Sequence, residues 1–172
     1  MRRLKLWITA VLAALLVSGC GTVGSVASVV ASSVANSFSS EPQPAYLDWK
    51  GLMVVADPDA NANSAIALDI VFVRDQQTLD KLLAVPAARW FVTREELRRS
   101  FPEALIVRSL ELVPDQTLRL TQDELGSPRV VGVLLFANYL APGEHRLRLP
   151  SMRNGALVRL GPDEFTVTEH PL

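Results

Sequence analysis

Residues 54–75, VVADPDANANSAIALDIVFVRD, contain two strands and the turn between them, and the rest of the fold can be read outward from these. The first strand runs over 48–56. It stops at Asp57-Pro58-Asp59-Ala60-Asn61-Ala62-Asn63, where Asp and Asn side chains compete for the local backbone and Pro58 has no N–H to donate to a ladder. The second strand, over 65–74, places Ile66, Leu68, Ile70 and Phe72 on one face by two-residue alternation. Beyond it the period changes, and Leu79, Leu82 and Leu83 are spaced as on a helix. Thr93-Arg94-Glu95-Glu96 has the form of a capping box, with Val92 and Leu97 placed as its hydrophobic staple. This predicts a short helix from Arg94 to Phe101, ended by Pro102.

Strands return over 105–113 and 117–121, on either side of a Pro114-Asp115 turn. Residues 130–139 are nearly all apolar, as expected of a strand covered on both faces. In 145–149, Leu147 and Leu149 alternate with Arg146 and Arg148, and 156–160 and 165–168 form a closing hairpin across Gly161-Pro162-Asp163. Short strands separated by turn residues imply a mainly β domain. The expected architecture is a two-sheet β-sandwich with a short helical insertion after the second strand.

The beginning of the chain carries a different signal. Arg2, Arg3 and Lys5 precede the apolar run 6–17, which is short for a membrane span of about 20 residues and suits a secretory signal. Val17-Ser18-Gly19-Cys20 then matches a lipobox: small residues let an extended backbone enter the peptidase, and the Cys20 thiol takes the lipid. The plainer reading is an ordinary cleaved signal, or a short anchor, with a cysteine nearby by chance. Cys20 is the only cysteine in 172 residues and stands where lipidation needs it, which favours the lipoprotein. It also leaves no intramolecular disulfide, so the domain must be held by its core.

Residues 1–19 are read as the signal peptide, 20–46 as the lipidated cysteine and a tether, and 47–172 as the sandwich domain. The tether is rich in Ser, Ala and Val, with Glu41 its only charge, and as a flexible coil reaches about 30 Å. Val23, Val26, Val30, Val34 and Phe38 also fit an amphipathic helix on lipid, although Ser and β-branched residues weaken it. Three of the 17 basic residues leave with the signal and no acid does, so the remaining side chains carry −4. That charge gives no reason to expect a nucleic-acid partner. Gly21, rather than Asp, after the cysteine favours the outer membrane under the bacterial sorting rule.

No catalytic constellation is legible. His145 and His170 read as surface residues, the one thiol is reserved for lipid, and there is neither a nucleophile elbow nor a phosphate loop. Asp57, Asp59, Asn61 and Asn63 alternate like the opening of a calcium loop. Ala62 replaces the required glycine and Leu68 the bidentate glutamate, so no metal and no cofactor is expected beyond the covalent lipid on Cys20. Glu95, Glu96, Arg98 and Arg99 read as the wet face of a helix, and Trp90 and Phe91 as core residues.

From Met53 to Arg148 the order of elements resembles the TssJ (SciN) family, outer-membrane lipoproteins of type VI secretion systems. The resemblance is carried by VVADPDANANS (54–64), IALDIVFVRD (66–75), LVPDQTLRL (112–120), VVGVLLFANY (130–139) and Pro142-Gly143, with the lipobox upstream. The loop departs from the family's usual Asn-Pro, having Asp57-Pro58-Asp59 instead. The resemblance implies a transthyretin-like sandwich and a non-enzymatic role, with no small-molecule substrate. The lipid would hold the domain at the periplasmic face of the outer membrane. There it would bind the periplasmic C-terminal part of a TssM-like inner-membrane secretion protein, through the loop Asp57, Pro58, Asp59, Ala60, Asn61, Ala62, Asn63 and Ser64. The alternatives are a pilotin-like lipoprotein, which would need an exposed peptide groove or sheet edge, and an envelope enzyme, which would need clustered acid, base or metal-binding residues.

Overall fold

The computed structural model describes residues 42–151 and 153–172. The signal segment, Cys20 and the tether as far as residue 41 lie outside the described residues. Two four-stranded sheets make up the domain. The first has the order β10 (Phe165–Glu169), β9 (Ala156–Leu160), β2 (Gly51–Ala56), β5 (Thr117–Thr121), in which β2 and β9 are parallel and the other pairs antiparallel. The second, antiparallel throughout, is β4 (Leu105–Leu112), β3 (Ile66–Val73), β7 (Gly132–Ala137), β8 (Arg146–Arg148). A short pair, β1 (Ala45–Tyr46) with β6 (Arg129–Val130), lies beside them.

The mainly β sandwich expected from the alternation is what the chain forms. Leu52, Val54 and Ala56 of β2 and Ala156, Val158 and Leu160 of β9 meet Leu68, Ile70 and Phe72 of β3 and Val133, Leu135 and Ala137 of β7 between the sheets. At about 1.5–3 kcal/mol for each fully buried large side chain, this layer is the main source of stability. Gly51 opens β2 with φ +148°, and a Cβ there would collide with the Leu120 carbonyl oxygen, so β5 approaches as close as glycine permits.

The helical insertion forms a third layer. α1 (Gln76–Leu82) starts where the Asp75 side chain accepts the Thr78 amide, and α2 (Ala87–Ser100) follows Pro86. Leu79, Leu82, Ala87 and Trp90 cover the outer face of the second sheet, burying Val71, Val73, Leu134 and Phe136. Strands β3 and β7 are therefore sealed on both faces, as expected from the nearly all-apolar run of residues 130–139.

Helix α2 corrects the reading of Thr93. The helix begins seven residues before Arg94, because its first amide, Ala87 N–H, donates to the Glu144 carbonyl and Pro86 supplies an extended entry. Thr93 is then interior and its hydroxyl donates to the Arg89 carbonyl, while Val92 is 78% exposed and staples nothing. The same Thr-x-x-Glu pattern does cap a helix elsewhere. Thr121 and Glu124 form the reciprocal box of α3 (Gln122–Leu125), and the Thr121 amide and hydroxyl hold the Glu124 carboxyl below its ordinary range.

One charge lies inside the domain. Asp69 is fully buried at the centre of β3, on the face turned to α2. It accepts from Trp90 Nε1 at 2.8 Å and from Arg94 at 3.0 and 3.2 Å, while Trp90 stacks on Phe136 with centroids 4.7 Å apart. Arg94 also lies over the Phe91 ring. Residues 69, 90 and 94 thus lock the helix to the sheet. Glu95, Glu96, Arg98 and Arg99 are exposed, as the charge run implied.

Candidate functional site

Strand directions bring four connections to one end of the sandwich: 57–65 between β2 and β3, 113–116 between β4 and β5, 138–145 between β7 and β8, and 161–164 between β9 and β10. The Pro114-Asp115 turn carries the chain from one sheet to the other.

Asn61 joins these connections. It is 2% exposed; its Nδ2 donates to the Ala65 carbonyl at 2.9 Å, and its Oδ1 accepts the Leu140 amide at 2.7 Å. Its own amide donates to the Gly161 carbonyl, and that of Ala62 to the Pro162 carbonyl. These bonds require a left-handed turn: φ is 50° at Asn61, 53° at Ala62 and 60° at Asn63. Asn tolerates this region better than most residues, whereas Ala62 carries the usual penalty of roughly 1–2 kcal/mol. On the other flank the Asp57 carbonyl accepts the Asp115 amide, and the Asp57 carboxylate is held by Arg159 Nε at 2.8 and 3.0 Å.

The loop is thus divided between structure and surface. A partner-binding loop would present Asp57, Asp59, Asn61 and Asn63 together as exposed acceptors. Asn61 is instead buried and spent on the backbone, Asp57 is half-buried and ion-paired, and Ala60 is buried. Pro58, Asp59, Ala62 and Asn63 are exposed, and Ser64 is half-buried with its amide shared by the Ala60 and Asn61 carbonyls. Sequence reasoning missed two further surface features, Val113 and Leu140, which are 55% and 70% exposed in connections flanking the loop. Val113 was read as the last residue of the strand over 105–113, which ends at Leu112, and Leu140 was assigned to no element.

An open cleft of about 740 Å³ lies at this end, between residues 141–147 and 159–166. His145 on its wall packs against the Tyr139 ring, and its Nε2 is 2.8 Å from the Ala141 carbonyl oxygen. His170 is at the far end of β10, so the two histidines are not brought together. Burial raises the Tyr139 phenol above its ordinary pKa; a hydrogen bond from the Gly161 backbone opposes this, and the fields of Asp57, Glu164 and Asp163 raise it further.

No family model matches the chain, and no curated protein does. Among solved structures, the T6SS lipoprotein TssJ1 from Pseudomonas aeruginosa superposes with a TM-score of 0.52, over 75% of this chain and 98% of TssJ1, at 16% identity. The domain has the TssJ fold. A chain from a type VI membrane complex agrees, with a TM-score of 0.51 over 70% of this chain and 98% of its own, at 14% identity. Serratia marcescens Lip, a membrane-bound component of the type VI secretion system, aligns over 69% of this chain and 95% of Lip, at 15% identity and a TM-score of 0.48. At such identities the likeness is one of fold. In this TssJ-like domain the helices α1 and α2 lie on the outer face of the second sheet, and the start of α2 meets the 138–145 connection where the Ala87 amide donates to the Glu144 carbonyl.

Proposed function

We propose that this chain is an envelope lipoprotein serving as a non-enzymatic structural part of a type VI secretion membrane complex. The observation that carries this reading is the near-complete coverage of TssJ1 by a domain that follows a lipobox cysteine. Acylated Cys20 would hold the protein to the periplasmic face of the outer membrane, with each buried CH₂ of lipid contributing about 0.8 kcal/mol. The residues between Cys20 and β1, whose Ala45–Tyr46 pair with β6, would give the domain its reach, and the loop end would bind the periplasmic C-terminal part of a TssM-like inner-membrane protein.

Two experiments test this. With Cys20→Ser, radiolabelled palmitate incorporation should be abolished and secretion lost; label persisting on the variant refutes the anchor. For the partner surface, variants must avoid Asn61 and Ala60, which the fold itself uses. Asp59→Ser with Asn63→Gly changes only exposed side chains, and glycine accepts the left-handed φ at 63. Affinity for the TssM-like domain, by calorimetry, should fall about tenfold, or about 1.4 kcal/mol. Unchanged affinity with an intact fold would move the contact off this loop.

A further inference from the structure

We propose that the free edge of β4 takes up an extended segment of a protein partner as a fifth strand, with a carboxylate of that segment set opposite Arg108. The other edge strands are short: β5 and β10 have five residues and β8 three, whereas β4 has eight. All eight pair with β3 in one unbroken register, and none is Pro or Lys, so the usual devices that blunt an edge are missing. The hydrogen bonds fix which groups are open. The Arg74 amide donates to the Ala104 carbonyl, so by alternation Ile106, Arg108 and Leu110 bond to Phe72, Ile70 and Leu68. Val107, Ser109 and Glu111 therefore turn their N–H and C=O groups away from β3, where no other backbone of the described residues meets them. Arg108, Ser109 and Glu111 are exposed, which leaves the edge open.

The side chains select the occupant. Arg108 stands between Ile106 and Leu110 on the face turned to the core, and it has no ion pair among the described residues. A charge on that face of an edge strand opposes pairing with a second copy. Two β4 strands related by a two-fold axis bring opposite each other only residues of the same face. Arg108 would then meet Ile106, Leu110, Leu112 or another Arg108, and never Glu111. A foreign segment has no such restriction. Because Arg108 bonds to β3, it takes a non-hydrogen-bonded position toward the new strand, where facing Cβ atoms lie about 5 Å apart and an acid can pair with it. Apolar or β-branched residues two positions to either side of that acid would face Ile106 and Leu110, extending the apolar layer.

The test uses the full chain, isotope-labelled in a detergent of neutral headgroup, with an end-blocked valine-threonine-aspartate-threonine-valine peptide and its counterpart carrying lysine for aspartate. The amides of Val107 and Ser109 should exchange freely in the chain alone and about tenfold more slowly when saturated with the aspartate peptide, while those of Ile106, Arg108 and Leu110 stay protected throughout. The lysine peptide should bind about fivefold more weakly. Arg108→Glu should reverse the order of the two peptides. Ser109→Pro removes one outward N–H without touching the ladder to β3 and should abolish binding of both. Protection of Val107 and Ser109 in the chain alone, or equal binding of the two peptides with no reversal in Arg108→Glu, overturns the proposal. So does protection of these amides that grows with chain concentration, which would place a second copy at the edge.

Discussion

Asp69→Ala is expected to destabilise the domain by about 3–5 kcal/mol, the usual cost of removing one member of a buried charge pair. The carboxylate is fully buried and accepts from both Trp90 and Arg94. Its loss leaves the indole N–H without an acceptor beneath α2 and leaves Arg94, one-third exposed, without a counter-charge. Because Trp90 also stacks on Phe136, the damage should reach the whole interface between helix and sheet. The urea midpoint should fall steeply with little change in slope. Asp69→Asn retains an acceptor for Trp90 and should lose less. Adding Arg94→Met to Asp69→Ala should recover part of the loss, since the orphaned cation is then gone. A loss below about 1 kcal/mol for Asp69→Ala would show that water or a rearranged side chain replaces the carboxylate at little cost.

Asn61→Ala should cost about 2–3 kcal/mol, and mostly at one end of the molecule. Two hydrogen bonds disappear, and the Leu140 amide and the Ala65 carbonyl lose partners that the buried site cannot easily replace. Alanine is also less willing than asparagine to hold φ at 50°. Three variants separate the causes. Asn61→Gly restores the backbone freedom without the bonds. Asn61→Asp keeps the acceptor for Leu140 but not the donor to Ala65. Amide exchange at Leu140 should quicken in the Ala and Gly variants and much less in the Asp variant. Equal protection of Leu140 in all three would mean that Asn61 does not hold the 138–145 connection.

Much of this protein is local in character and so legible along the chain. Two-residue alternation sorted Leu68, Ile70 and Phe72 onto one face of β3, and the nearly all-apolar run at 130–139 implied a strand covered twice. Asp, Asn, Pro and Gly marked all four connections now found at one end. The lipobox-like pattern Val17-Ser18-Gly19-Cys20 is local as well, and is read from four adjacent residues.

Tertiary structure decided what depends on neighbours. Alternation says which way a side chain points and not which strand lies beside it, so the parallel pairing of β2 with β9 and the division of β4 and β5 between two sheets left no trace in the pattern. Thr93 and Thr121 head the same Thr-x-x-Glu motif; one became helix interior because Glu144, in a distant connection, satisfied an earlier amide. Asp69 is the one polar residue of β3, and only folding brings it Arg94, 25 residues on, as a partner. Asn61 resembled its exposed neighbours in the turn until Leu140, 79 residues away, donated to it. A polar side chain is as free to face water as to bury, and what settles the matter is whether folding brings it a partner of the right sign at hydrogen-bond distance.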